Sequence, residues 1–332
     1  MSYASAHGRA SCDRDARQRT RCVVGWVEIK RRQGIRNKAV FAGSRAEKCA
    51  NFELNLFSLV WLYSTRLLRG VKLFYTHLPA HWGMSKGCNS VTYAPLDTLK
   101  PVAKDVWIVD GPMIRFGMAP LKMQFPTRMT VIRSKRRALF IHSPTPLTDS
   151  LKAEIANIGE VRHIVGPNRI HYWWIPEWRT AFPKAEVWLA PRIREQAKGR
   201  IDFDAPELTK ETGYPWDEEI KTLPVAGSFM TEVEFFHPAS RTLVLTDFIE
   251  NFEPKKLSWW WRWLARAGGV LAPNGGMPRD MRLTYSRQKP QLKAAVETMI
   301  GWNPERIILA HGKWIERDGA AELKRSFGWL LD

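Results

Sequence analysis

From residue 93 onward, apolar residues fall in short runs, each closed by turn-forming residues. Val106-Trp107-Ile108-Val109 followed by Asp110-Gly111-Pro112 predicts a strand ending in a turn. Residues 128–133 and 138–141 predict two more strands around a basic turn at 134–137, and His142-Ser143-Pro144-Thr145-Pro146 stops that sheet. Leu151, Ile155 and Ile158 share one helical face, which predicts a helix over 148–158 with Thr148 as its cap. A strand at 161–165 then ends in Gly166-Pro167-Asn168. A short helix is expected over 171–181, and a further strand at 186–190 closed by Pro191.

Residues 199–222 read as an irregular insertion rich in acidic side chains. Strand-length runs follow at 220–224, 232–236 and 242–246, with His237-Pro238-Ala239-Ser240-Arg241 as the turn between the last two. Helical patterns cover 257–267 and 288–299. A buried strand at 306–310 delivers His311-Gly312, and a final helix is expected over 320–329. Strands alternating with helices argue for a layered α/β structure.

The first part of the chain behaves differently. Residues 1–90 keep no period of 2 or 3.6, and they hold 16 Lys and Arg against 5 Asp and Glu, whereas residues 91–332 hold 35 against 28. The composition breaks near Tyr93, just after Met84. Residues 1–92 are therefore either a basic, poorly structured extension or the product of a start placed too far upstream, and the organised domain is expected over 93–332. The net charge of +18 points to nucleic acid only until it is located, because most of the excess sits in the leading segment. Gly268-Gly269 and Gly275-Gly276 also lack the strand before and helix after that a phosphate loop needs. Nucleic acid is thus not an expected partner. Cys12, Cys22, Cys49 and Cys88 all lie in the leading segment, at spacings of neither a zinc knuckle nor a redox pair. They read as free thiols of a reducing compartment. With no legible signal peptide, a cytoplasmic location is expected.

Three polar clusters close predicted strands: Pro167-Asn168-Arg169-Ile170-His171, Thr246-Asp247-Phe248 and Ala310-His311-Gly312. On these residues, residues 93–332 resemble the metallo-β-lactamase fold superfamily, in particular an uncharacterised bacterial branch of it. The resemblance implies a four-layer αββα sandwich built from a repeated ββα unit, with metal held at one edge of the two sheets. The first metal loop of that superfamily, His-x-His-x-Asp-His, corresponds here to Gly166-Pro167-Asn168-Arg169-Ile170-His171, which keeps only its last histidine. The stretch Leu223-Pro224-Val225-Ala226-Gly227-Ser228 offers no imidazole where another is usual. The bridging aspartate corresponds to Asp247 and the last histidine to His311. The implied ligand set is His171, Asp247 and His311.

Two imidazoles and a carboxylate suffice for one divalent ion, zinc or iron, and imply a hydrolase of an ester, amide or phosphoester small molecule. The rival expectation is a non-catalytic binding protein. Glu177, on the same expected helix as His171, is the candidate proton carrier or fourth ligand, and Asn168 is a candidate to orient substrate. Asp110 and His142, each just past a strand, are placed to reach the same edge. His163 reads as a half-buried strand residue and His237, beside Pro238, as solvent exposed. Trp173, Trp174 and Trp178 adjoin the metal loop, and Trp259, Trp260, Trp261 and Trp263 lie among Lys255, Lys256, Arg262 and Arg266. The second cluster fits a pocket lid or a homo-oligomer contact, and beyond those a peripheral membrane contact.

Overall fold

The computed structural model describes residues 91–116 and 123–332. The extension expected over 1–92 lies outside them except for its last two residues. Ten strands in the described residues form two sheets. In the first, β1 (Lys100–Ala103), β2 (Val106–Phe116), β3 (Met123–Arg133) and β4 (Ala138–His142) pair antiparallel in chain order. To these β5 (Glu160–Gly166) and β6 (Glu186–Leu189) are added in parallel. In the second, β7 (Lys221–Ala226), β8 (Thr231–His237) and β9 (Thr242–Val244) are antiparallel neighbours, and β10 (Arg306–Ile308) runs parallel to β9.

A parallel neighbour requires a crossover. Helix α1 (Asp149–Ile158) supplies it between β4 and β5, and Thr148 caps that helix by accepting from the Leu151 N–H. Helices α2 (Ile175–Ala181) and α3 (Ile193–Ala197) flank β6. Helices α4 (Trp259–Gly268), α5 (Arg279–Thr284) and α6 (Lys289–Gly301) fill the crossover from β9 to β10, and α7 (Gly319–Ser326) and α8 (Gly328–Leu331) end the chain. Each half therefore repeats one plan, a hairpin followed by a helical crossover to a parallel strand.

Alternation along the strands decides which layers meet. On β8, Val233 and Phe235 face the first sheet, where they pack with Val106, Ile108 and Phe140; the Phe140 and Phe235 rings meet edge-on at 5.1 Å. Phe236, one residue on, points to the opposite face, where Leu292, Val296 and Met299 of α6 cover it. Leu151 and Ile155 of α1 belong to the first core. The result is an αββα sandwich.

Four local expectations are corrected. Asp110-Gly111-Pro112 does not end a strand: β2 runs through it by a register shift, because pairing with β3 resumes from Met113 opposite Pro126. His171 precedes α2 rather than opening it; that helix begins at Ile175, with Pro176 in the first turn, where its missing N–H costs nothing. The final helix is divided at Phe327. His237 is buried, not exposed, with its Nδ1 2.8 Å from Ser240 Oγ.

Candidate metal centre

Three of the strands in parallel pairs, β5, β9 and β10, bring their carboxyl ends to one region, where open α/β sheets commonly place ligands. After β5, Asn168 is fully buried and its Oδ1 accepts from the N–H groups of Ile170 and His171 at 3.0 and 3.1 Å, a tight turn that sets the backbone of His171. After β4, Ser143 takes the left-handed conformation at φ 52° and puts its Oγ 2.7 Å from His171 Nδ1. After β10, Gly312 sits at φ 86°, and a Cβ there would lie 2.3 Å from the Asn251 carbonyl. The Ala-His-Gly sequence thus lets the chain turn against residue 251 while His311 points inward.

His171 Nε2 lies 3.4 Å from Asp247 Oδ2, and His311 Nε2 lies 3.0 Å from Asp247 Oδ1. One ligand atom from each of the three residues falls within 4.8 Å of the others. The structure brings this expected set together from both sheets. Burial alone would raise the Asp247 carboxyl, but the His171 and His311 imidazoles outweigh it and hold the group below the ordinary carboxylate range.

The protonation pattern tests whether a cation fits. His311 Nδ1 lies 2.7 Å from the Pro126 carbonyl, which can only accept, so Nδ1 carries the hydrogen. On a neutral ring Nε2 is then a lone pair aimed at a carboxylate oxygen. Two acceptors in contact require a positive charge between or on them, a proton or a metal. Two imidazole nitrogens and a carboxylate oxygen are the donor types that zinc takes, and one such atom from each residue lies within 4.8 Å of the others. The donor set fits a single metal.

Residues behind the cluster, of which the sequence singled out Asn168 and Asp110 but not Glu232 or Arg128, hold these groups. Asn168 Nδ2 donates to Asp247 Oδ2 at 2.7 Å and to Glu232 Oε2 at 3.3 Å. Glu232 Oε1 accepts from three consecutive backbone N–H groups, Thr246, Asp247 and Phe248, at 2.8, 2.9 and 3.0 Å. Burial, with the Asp247 charge adding to it, pushes Glu232 up to about 7. Arg128 of β3 is buried between the sheets: its guanidinium binds Asp110 at 2.7 and 2.9 Å and donates to the carbonyls of Leu309 and Gly312 at 2.7 and 2.8 Å. That arginine fastens the His311 turn to the first sheet.

Other expected members stand elsewhere. Glu177 is exposed on α2, beside buried Trp178, and its carboxyl accepts from the Leu147 backbone. Glu177 is not among the residues whose ligand atoms gather at the cluster. Both ends of the Asn168 amide are engaged within the protein, so its role in the structure is to hold the ligands. Asp110 is paired with Arg128 and Lys100. His163 is partly buried against Trp216, as expected.

His142 is buried edge-on against Phe235 at 5.5 Å. Burial, helped by nearby His171, pushes its imidazole down to about 3. A depressed folded-state pKa means that the unfolded chain takes up a proton first as pH falls below 6.5, so stability from neutral His142 is lost between there and about pH 3. Relative to the parent, His142→Phe should gain about 2 kcal/mol between pH 7 and pH 5, read as the change in the urea-midpoint difference. A constant difference across that range would reject this account.

Residues 104–258 match the family model described as Domain of unknown function (DUF4336). No curated protein matches the sequence. Among solved structures, the chain is similar to the DIM-1 metallo-β-lactamase exposed to ceftazidime, at 15% identity and TM-score 0.48, over 70% of this chain and 95% of that one. It is similar to the metal-soaked Flv1 flavodiiron core from Synechocystis sp. PCC6803 at 11% identity and TM-score 0.48, over 70% of this chain and 60% of that one. A metallo-β-lactamase from Pontibacter korlensis aligns at 10% identity and TM-score 0.45, over 71% and 99%. The fold assignment rests on this chain's own sheet order and repeated crossover. By those features the chain is an αββα sandwich, matched over residues 104–258 to the model described as Domain of unknown function (DUF4336).

Proposed function

We propose that this protein is a hydrolase dependent on one metal ion, zinc or iron, held by His171, Asp247 and His311, and acting on an ester, amide or phosphoester of a small molecule. The observation that carries the reading is the convergence of the three donors, one ligand atom each of His171, Asp247 and His311 within 4.8 Å of the others, with His311 Nε2 free to face Asp247 because Nδ1 is engaged by the Pro126 carbonyl. A bound ion supplies Lewis-acid polarisation and acidifies water. The chain's own residues fix the geometry. Pro126 sets the His311 tautomer, Ser143 orients His171, and the Asn168 amide keeps one oxygen of Asp247 in place while the histidines face both. His171 is the least buried of the three, which makes its side the approach for substrate.

The test is metal content and hydrolysis on the full chain after growth with zinc or iron. One equivalent is expected in the parent, with a loss of about tenfold or more in metal affinity in folded His171→Ala and His311→Ala variants. Hydrolysis of chromogenic esters or phosphodiesters should disappear on chelation and return with the ion. A parent that takes up neither metal on reconstitution would instead make the cluster an imidazolium–carboxylate ion pair of a non-catalytic protein.

A further inference from the structure

The proposed chemistry makes no use of the tryptophans of α4. Trp259, Trp260 and Trp263 are 76%, 46% and 63% exposed, whereas Trp178 is wholly buried. They are not part of the core. Ser258 caps this helix by accepting from the Trp261 N–H, and Gly269 at φ 77° ends it. Its inward face is Ala265, in one cluster with Phe252 and Val270. That anchoring leaves the indoles outward, where they gather: the Trp260 and Trp263 rings stack at 6.5 Å, and Trp259 meets Trp260 edge-on at 5.7 Å. Burying a large apolar side chain is worth about 1.5–3 kcal/mol, so three adjacent wet indoles mark a surface that is covered in use.

Charge decides what covers it. Residues 254–279 contain no Asp or Glu, yet include Lys255, Lys256, Arg262, Arg266 and Arg279. Lys255, Arg262 and Arg266 are exposed around the indoles. A two-fold contact with a second copy would set these cations against themselves, with no carboxylate in the segment to answer them. A bilayer rich in anionic lipid answers both features, because indoles settle at the headgroup level and cations meet lipid phosphates. The helix has ten residues, about 15 Å, and no helix among the described residues is long and apolar enough to cross a membrane. Its geometry is that of a helix lying flat in the interface.

We propose that α4 docks the protein onto anionic membrane surfaces, with Trp259, Trp260 and Trp263 set among the headgroups and Lys255, Arg262 and Arg266 against phosphates. The Phe125 ring meets those of Phe252, at 5.9 Å, and His311, at 5.2 Å, and Phe252 shares an apolar cluster with Ala265, so the docking helix is joined to the candidate metal centre by packed side chains. The docking itself does not depend on a metal.

The experiment is flotation of the full chain with vesicles of phosphatidylcholine alone or mixed with phosphatidylglycerol, together with quenching of tryptophan fluorescence by brominated lipid. The parent should bind the mixed vesicles, weaken at high salt, and show quenching. The triple variant Trp259→Ala, Trp260→Ala, Trp263→Ala, shown folded by circular dichroism, should bind about tenfold or more weakly and lose the quenching. Equal binding by the two proteins would assign attachment to another segment, such as the basic first 90 residues, and overturn the proposal. So would a parent that ignores anionic vesicles but forms a concentration-dependent dimer abolished in the triple variant.

Discussion

Arg128→Met should destabilise the protein by about 3 kcal/mol or more and lower the melting temperature by roughly 10 °C. The side chain is almost inaccessible and makes four hydrogen bonds or ion contacts at once, two with Asp110 and one each with the carbonyls of Leu309 and Gly312. Methionine fills a similar volume but leaves both carbonyls unmet and Asp110 with Lys100 alone. Metal affinity should fall in the same variant, because the two carbonyls flank His311. Thermal melts with and without added zinc read both effects. A stable variant with undiminished zinc response would show that the His311 turn holds itself.

Glu232→Ala and Glu232→Gln should separate by several kcal/mol. One oxygen of Glu232 satisfies three buried N–H groups, and each such group left without a partner costs about 1–3 kcal/mol. Alanine abandons all three. Glutamine retains an oxygen for them and removes the like charge beside Asp247, so its cost should be about 1 kcal/mol. Urea unfolding of the two variants against the parent measures the gap. Equal losses would mean that the carboxylate's charge, not its acceptor geometry, supports the Asp247 turn.

These two residues also mark where the sequence stops being legible. His171, Asp247 and His311 could be picked out because three polar clusters close predicted strands and, at these positions, correspond to metal residues of the superfamily that the sequence resembles. Glu232 and Glu234 instead alternate with Val233 and Phe235, a pattern indistinguishable from an ordinary strand with one wet face. Only packing on the outer face, where Tyr285, Leu292 and Val296 gather, turns that face into an interior. Arg128 is hidden in the same way within β3, and the carbonyls of Leu309 and Gly312 that it binds lie far along the chain. Glu177 misled for the opposite reason: a helix drawn continuously from His171 aligned two side chains that the real start at Ile175 separates. Turn chemistry also misled at Asp110-Gly111-Pro112, where local preference yielded to a ladder with β3 on both sides of the bulge.

The repeated hairpin-and-crossover plan carries a further consequence. His171 comes from the half built around β4 and β5, whereas Asp247 and His311 come from the half built around β9 and β10. Neither half owns a complete set of donors, so anything gripping all three atoms acts as a rivet across the duplicated molecule, and a severed half would retain at best a two-point grip.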